Sequence, residues 1–110
     1  MKLPNKEKAH IPNSKIRDYL LSKTHSVGMW KASFFQSIGF DETNAKSLEK
    51  SIMAIAQTED VKQITKSPYG TKYVVDGSII SPEGKSIGLR TVWIIEFGEE
   101  YPRFVTAYPL

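Results

Sequence analysis

The stretch from Thr71 to Phe97, TKYVVDGSII-SPEG-KSIGLRTVWIIEF, decides the fold of this chain. Its two ends are rich in β-branched and aromatic residues, which favour β-strands. Between them, Ser81–Gly84 places a proline and a glycine where a tight turn needs them. We therefore predict two strands, Thr71–Ile80 and Lys85–Phe97, which pair antiparallel through this turn.

Two further strands are predicted on either side of this hairpin. Val61–Lys66 precedes it, and Arg103–Tyr108 follows it after a tight turn at Gly98–Tyr101. Strands that are joined by short turns pair with their neighbours, so the four strands should form an antiparallel meander. Val92–Ile95 is apolar at every position, which indicates a central strand covered on both faces over part of its length.

The residues before the sheet follow the helical period instead. Helices are predicted over Ser14–Leu21, Val27–Ile38 and Glu42–Ala56, and the polar, lysine-rich residues 1–11 are expected to form an N-terminal arm. A chain of 110 residues is long enough to bury one hydrophobic core. The predicted fold is therefore a single α+β domain over residues 1–110, with two to three N-terminal helices packed on a four-stranded antiparallel meander sheet.

The composition excludes several classes of protein. With 40% hydrophobic and 25% charged residues, the chain has an ordinary globular composition. It contains no apolar run near the roughly 18 residues of a membrane span, and no signal-peptide pattern opens it. The absence of cysteine removes disulfides, thiol catalysis and cysteine-ligated metals, and it fits a reducing compartment. We predict a cytoplasmic protein with no membrane partner.

The charge is uneven along the chain. The net charge is +3, and residues 1–40 hold seven lysines or arginines against two acidic residues. A basic end of this kind permits a polyanionic partner such as RNA. On charge alone, a solvated surface rich in lysine is the more common explanation.

One lysine of the second predicted helix lies where a core residue is expected. At about 100° per residue, Lys31 falls inside the apolar arc of this helix, between Ile38 and Phe35. A charged amine there is costly unless its stem covers apolar neighbours, it pairs, or it serves a site. His25 precedes the helix, and histidine is the side chain whose unperturbed pKa lies near neutral pH. His25 and Lys31 are therefore candidates for proton transfer and phosphate binding, with a loop histidine and a snorkelling lysine as the alternatives.

The predicted sheet supplies a second group of candidate residues. If the last two strands pair antiparallel, Thr106 and Tyr108 lie near Arg90, whose guanidinium suits bidentate phosphate recognition. Thr71 and Lys72 add a hydroxyl and a cation at the start of the second strand. Threonine and tyrosine are also common in strands for reasons of propensity alone, and a strand start after a turn uses the same residue types.

The chain lacks the motifs of cofactor-dependent enzymes. It has no phosphate-binding glycine loop, no dinucleotide fingerprint and no serine elbow, and its two histidines, His10 and His25, make a weak metal site. We therefore predict chemistry without a metal or a nucleotide cofactor. Cleavage of RNA by attack of its own 2′-hydroxyl fits such residues, since it needs only a base, an acid and cations around the phosphate.

The sequence resembles the small bacterial family DUF6883, whose function is uncharacterised. The resemblance spans the chain from about Leu3 to Pro109 and rests on four motifs: HSVG at 25–28 leading to KASFF at 31–35, YGTKY at 69–73, RTVWII at 90–95 and RFVTAYP at 103–109. Members of that family are single-domain proteins or C-terminal tips of larger secreted toxins. The resemblance therefore implies either a free-standing small protein or the tip of a larger secreted toxin.

More distantly, the chain is similar to the superfamily of barnase, the RelE toxins and the tRNA-cutting colicins, which cleave RNA without a metal. This similarity implies a ribonuclease fold with early helices on a four-stranded sheet. It implies that His25 and Lys31 lie near the scissile phosphate, that Thr71 and Arg90 contact a phosphate or a base, and that Thr106 and Tyr108 are hydroxyl donors. Our candidate catalytic residues are therefore His25, Lys31, Arg90 and Tyr108. Our candidate substrate-binding residues are Thr71, Lys72 and Thr106.

Two functions remain open from the sequence. The first is a ribonuclease toxin, whose partners would be RNA and a neutralising antitoxin or immunity protein. The second is a non-catalytic interaction module on the same scaffold, such as an immunity-type partner. Under the first, His25, Lys31 and Arg90 converge on one open cleft, whereas under the second they are scattered.

Overall fold

A four-stranded antiparallel sheet forms the centre of the protein, seen in a computed structural model that describes residues 1–16, 21 and 29–110. Its strands are β1 (Val61–Ser67), β2 (Gly70–Ile80), β3 (Ser86–Glu96) and β4 (Arg103–Pro109). Strands that are consecutive in the sequence are neighbours in the sheet. The predicted α+β class and antiparallel meander are confirmed, and each strand boundary lies within one residue of its prediction.

The turn between β2 and β3 sets the register of the central hairpin. Ser81 and Lys85 close this turn through a 2.8 Å hydrogen bond from the Ser81 amide to the Lys85 carbonyl. Gly84 takes the left-handed backbone conformation (φ +86°) that the turn requires and that glycine adopts at little cost. From Ile80 opposite Ser86, the pairing continues without a bulge to the far end of both strands. Each residue of β2 therefore faces a fixed partner in β3.

The hydrophobic core lies between one face of this sheet and the helices. The helices are α1 (Asn13–Lys15), α2 (Met29–Ser37) and α3 (Ala45–Thr58). The apolar side of α3, with Ile52 and Ile55, is buried against β2 and β3. Trp93 lies at the centre of β3, fully buried, with its ring edge-on to Phe104 at 5.3 Å between centroids. These contacts place the core on the α3 side of the sheet.

A buried hydrogen-bond chain satisfies the polar atoms of this core. The Trp93 Nε1 donates to the Thr91 hydroxyl at 2.9 Å, and that hydroxyl donates to the Val75 carbonyl at 2.7 Å. All three residues are fully buried. Because an unpaired buried polar group is costly, this chain of bonds lets a threonine and an indole occupy the core.

The helical layer is thinner than the sequence predicts. Within the described residues, α3 is the one main helix; of the first predicted helix, Ser14–Leu21, the structure describes an α-helical piece at Asn13–Lys15, and residues 17–20 lie outside the described part of the chain. The predicted helix Val27–Ile38 is seen as α2, and α3 has the more strongly one-sided apolar face of the two. No helix in the described ranges has the length and hydrophobicity that crossing a membrane requires.

The segment expected to form a polar arm packs along the fold. Leu3 and Ile11 are buried in the core. The Val61 amide donates to the carbonyl of Met1 at 2.7 Å, which joins the chain start to β1. His10 forms an isolated parallel bridge with Arg103 at the outer edge of β4. Residues 1–11 therefore cover parts of both sheet edges.

Gly70 tolerates no side chain at the start of β2. A Cβ there would lie 2.3 Å from the Ile95 carbonyl oxygen, which is a backbone atom and cannot rotate away. We expect Gly70→Ala to lower the free energy of unfolding by at least about 2 kcal/mol, because β2 and β3 must move apart. Urea denaturation measures this loss. The matched control is Gly88→Ala in β3, whose Cβ would meet only Leu110 at 3.4 Å. Equal stability of the two variants would contradict the close approach of the strands.

Candidate functional site

Most of the predicted sheet residues share the face that points away from α3. Successive side chains alternate between the two faces of a strand. Since Val75 and Trp93 are buried on the α3 side, their neighbours Asp76 and Val92 lie on the other side. We call this other side the distal face. Its residues on β2, β3 and β4 are Lys72, Val74, Asp76, Arg90, Val92, Ile94, Glu96, Arg103, Thr106 and Tyr108.

The first cross-strand row of the distal face joins Asp76, Arg90 and Tyr108. Arg90 faces Asp76 on β2 and Tyr108 on β4. The Arg90 Nε and Nη2 donate to the two carboxylate oxygens of Asp76, each at 2.8 Å. The carboxylate is only 11% exposed and the guanidinium 35% exposed. Arg90 is thus held by a bidentate pair, the geometry in which arginine binds carboxylates most strongly.

This pairing shifts the pKa values of both groups. The hydrogen bonds from Arg90 hold the pKa of Asp76 below its usual range, against the opposing effect of burial. The same bonds raise the pKa of Arg90, and an interaction with the Tyr108 hydroxyl acts in the same direction. Since a guanidinium carries five donor protons, the pair with Asp76 leaves three of them for Tyr108 and for a ligand. Asp76 nevertheless neutralises much of the positive charge at this point.

The next rows are apolar at the centre and charged at the end of the face. Val92 lies between Val74 and Thr106, and Ile94 lies between Lys72 and Arg103. The Arg103 Nε donates to the Glu96 Oε1 at 3.0 Å, and the Arg103 Nη2 donates to the same oxygen. At about 3.4 Å per residue, Lys72 lies roughly 14 Å from the Asp76 row along the sheet.

The structure brings together four of the seven residues predicted from the sequence. Lys72, Arg90, Thr106 and Tyr108 are on the distal face. Thr71 lies on the α3 side of β2, and its hydroxyl is 3.5 Å from the Lys66 ammonium. The remaining two predictions fall elsewhere: residue 25, the histidine, is outside the described part of the chain, and Lys31 belongs to α2 by its backbone, with a side chain outside the described atoms.

Sequence reasoning missed the carboxylates of this face, Asp76 and Glu96. A signal for Asp76 was present, because Asp76 and Arg90 each lie seven residues from Glu83 in the turn of the central hairpin. A hairpin centred on that turn places the two opposite each other on the same face. Glu96 carries no such signal, since its contact with Arg103 is diagonal and follows a register irregularity between the Val92–Thr106 and Trp93–Phe104 pairs.

The Asp76–Arg90 pair predicts a pH dependence of stability. Because the pKa of Asp76 is lowered in the folded state, its contribution is present above its unfolded pKa, about 3.9, and is lost as the pH falls through the folded pKa. At pH 7 we expect Asp76→Asn to lower the free energy of unfolding by about 1–3 kcal/mol. Urea denaturation of both proteins from pH 7 down to pH 2.5 should show this difference shrinking below about pH 4. A difference that stays constant over this range would mean that the charge of Asp76 is not involved.

The described residues form an α+β fold whose distal face carries paired charges and hydroxyls around an apolar centre. It belongs to the DUF6883 family, a domain of unknown function, whose profile matches residues 2–110. A comparison with curated proteins gives no significant match.

One solved structure of similar fold is a chain of the contact-dependent growth inhibition toxin–immunity protein complex from Klebsiella pneumoniae 342. The TM-score is 0.71 at 15% sequence identity, and the similarity covers 94% of this chain and 95% of the other. At this identity the likeness concerns the fold.

Proposed function

We propose that this chain is an RNA-cleaving toxin domain that needs no metal ion, and that RNA lies on the distal face. The observation that carries the proposal is that four residues predicted from the sequence share this face. They are Lys72, Arg90, Thr106 and Tyr108. Cations and hydroxyls are the groups that position a phosphate backbone. The fold likeness to a chain of a toxin–immunity complex adds support for a toxin role.

The proposed reaction is an attack of the RNA 2′-oxygen on the adjacent phosphorus. A base removes the 2′-hydroxyl proton, the 2′-oxygen bonds to phosphorus, the bond to the 5′-oxygen breaks, and an acid protonates that oxygen. The products are a 2′,3′-cyclic phosphate and a 5′-hydroxyl. His25 acts as base or acid, as the similarity to the barnase, RelE and colicin superfamily implies. Arg90 stabilises the charge that develops on the phosphoryl oxygens, and the same similarity implies this role for Lys31.

The hydroxyls of the distal face position the substrate in this proposal. Tyr108 interacts with Arg90, which Asp76 holds in a fixed orientation. A catalytic cation that is already oriented loses little side-chain entropy when it meets the phosphate. Thr106 lies one row further along, beside Val92, and Lys72 binds a neighbouring phosphate of the strand. A neutralising immunity protein or antitoxin would then inhibit the domain by covering this face.

The test is the chemistry of the RNA ends. The purified chain should degrade bacterial RNA in the presence of EDTA and leave 2′,3′-cyclic phosphate and 5′-hydroxyl ends. Its expression should arrest bacterial growth. The proposal fails if the RNA stays intact and growth is normal, and it also fails if the new ends are 5′-phosphates, which require a different nucleophile.

A second function, a non-catalytic immunity-type module, is favoured by one observation. Arg90 and Arg103 are both paired with carboxylates, Asp76 and Glu96, so the distal face is less cationic than its arginines alone suggest. Such alternating charges suit a protein partner as well as RNA. Under this alternative the chain is harmless when expressed alone and leaves RNA intact. The toxin proposal predicts growth arrest and RNA cleavage instead.

A further inference from the structure

A depression of about 310 Å³ lies at the end of the distal face, away from Arg90. Its volume is at the lower limit for sites that bind small molecules. The lining residues are Lys15, Tyr69, Lys72, Ile94, Glu96, Arg103 and Val105. The depression therefore combines an aromatic ring, apolar surface, three cations and one carboxylate.

Tyr69 is the most telling residue of this depression. Its side chain is 73% exposed, although the backbone around it is firmly held. The Tyr69 carbonyl accepts a hydrogen bond from the Phe97 amide at 3.0 Å, and the Tyr69 amide donates to the Ser67 hydroxyl at 3.3 Å. This ring is thus presented to solvent by a turn that is anchored to both neighbouring strands. An exposed aromatic ring on a firmly held backbone suits stacking against a flat ligand.

The other groups of the depression suit the remaining parts of a nucleotide. Ile94 is 6% exposed and contributes apolar surface to the lining. Lys72 and Lys15 supply positive charge that a phosphate requires. Arg103 and Glu96 are bonded to each other at the wall, where a carboxylate can accept hydrogen bonds from the amino group of a base. Single-stranded nucleic acids are commonly bound by this combination of stacking and cations.

We propose that this depression binds one nucleotide of single-stranded RNA, with its base stacked on Tyr69 and its phosphate near Lys72. The inference rests on the proposed function in taking RNA as the ligand, and it adds a binding subsite roughly 14 Å from the Asp76–Arg90 row. A strand lying along the distal face would therefore reach both places at once.

The test measures binding to an RNA that cannot be cleaved. A short fluorescent single-stranded oligonucleotide with 2′-O-methyl groups lacks the 2′-hydroxyl nucleophile, so anisotropy reports affinity without reaction. Tyr69→Ala should weaken binding about tenfold, and Tyr69→Phe should retain most of the affinity, because the ring does the stacking. Phe97→Ala is the matched control, since Phe97 is 69% exposed on the adjacent turn and is not among the described residues that line the depression.

The charged residues give a second readout in the same experiment. Lys72→Ala should weaken binding and reduce the salt dependence by about one phosphate contact, whereas Lys50→Ala on α3 should change neither. Unchanged affinity in Tyr69→Ala, or an equal loss in Phe97→Ala, would overturn the assignment. Tighter binding of free adenosine monophosphate than of the oligonucleotide would assign the depression to a free nucleotide instead.

The failure of this inference can be told apart from failure of the proposed function. If the chain cleaves RNA but Tyr69→Ala binds the oligonucleotide normally, the subsite is wrong and the function stands. If the oligonucleotide binds through Tyr69 but RNA is never cleaved, the subsite stands and the nuclease proposal fails. If the chain binds no RNA at all, both fail.

Discussion

Replacement of His25 by alanine is expected to lower the rate of RNA cleavage by about 10²–10⁴-fold, which is the usual effect of removing a positioned acid or base. The same variant should relieve growth arrest in bacteria that express it. The matched control is His10→Ala, because His10 is the other histidine of the chain, is exposed, and bonds to its neighbours through its backbone. This control should cleave RNA at the rate of the unmodified chain.

The pH profile of cleavage separates a chemical role of His25 from a structural one. A histidine that transfers a proton gives a rate that changes near neutral pH, and this inflection should vanish in His25→Ala. Lys31→Ala should lower the rate without removing the inflection, since lysine keeps its charge throughout this range. If His25→Ala and His10→Ala cleave RNA equally fast, His25 takes no part in the reaction.

Replacement of Arg90 by alanine is expected to lower cleavage by about 10²–10³-fold, because a fixed donor to the developing phosphoryl charge is lost. The cleavage rate of Arg90→Lys should lie between those of the unmodified chain and Arg90→Ala, since lysine keeps the charge but cannot form the bidentate pair with Asp76. Arg90→Ala also leaves the half-enclosed Asp76 carboxylate without its cation, so the variant should be less stable. Thermal unfolding must therefore accompany the rate measurements, and rates are compared at temperatures where both proteins are folded.

Asp76→Asn provides the control for this second prediction. It keeps the Arg90 guanidinium but removes the charge that orients it, so we expect a smaller loss of cleavage than in Arg90→Ala. If Asp76→Asn and Arg90→Ala are both folded and lose equal cleavage activity, Arg90 acts only through its ion pair with Asp76 and makes no contact with the phosphate. Full activity in Arg90→Ala would remove this row of the distal face from the reaction altogether.

Much of the sheet could be predicted from the sequence because local signals determine it. The proline and glycine of the turn after β2 specify both the hairpin and its register, and the apolar run in β3 marks a central strand. The predicted proximity of Arg90 to Tyr108 follows from the same antiparallel geometry, and the two residues are direct partners. Side chains alternate between the two faces of a strand, so Thr71 is expected on the same side as Val75 and on the opposite side from Lys72.

The helices and the ion pairs were harder to predict, for different physical reasons. Helix formation depends on tertiary packing of an amphipathic face, and this face is stronger in α3 than in α2. The pairing of Arg103 with Glu96 depends on a register irregularity in β4 that no residue pattern announces. The sequence also indicated Arg90 as a phosphate ligand without indicating that Asp76 already neutralises it, because charge pairing arises from the fold.

The most direct test of the account is to locate RNA on one face of the sheet by NMR of methyl groups. Val92 and Ile94 are on the distal face, whereas Ile52 lies in the core and Met53 lies on α3. Titration with the uncleavable oligonucleotide should shift the methyl signals of Val92 and Ile94 most strongly and leave those of Ile52 and Met53 nearly unchanged. Shifts concentrated at Met53 and absent from Val92 and Ile94 would contradict the distal face as the RNA surface.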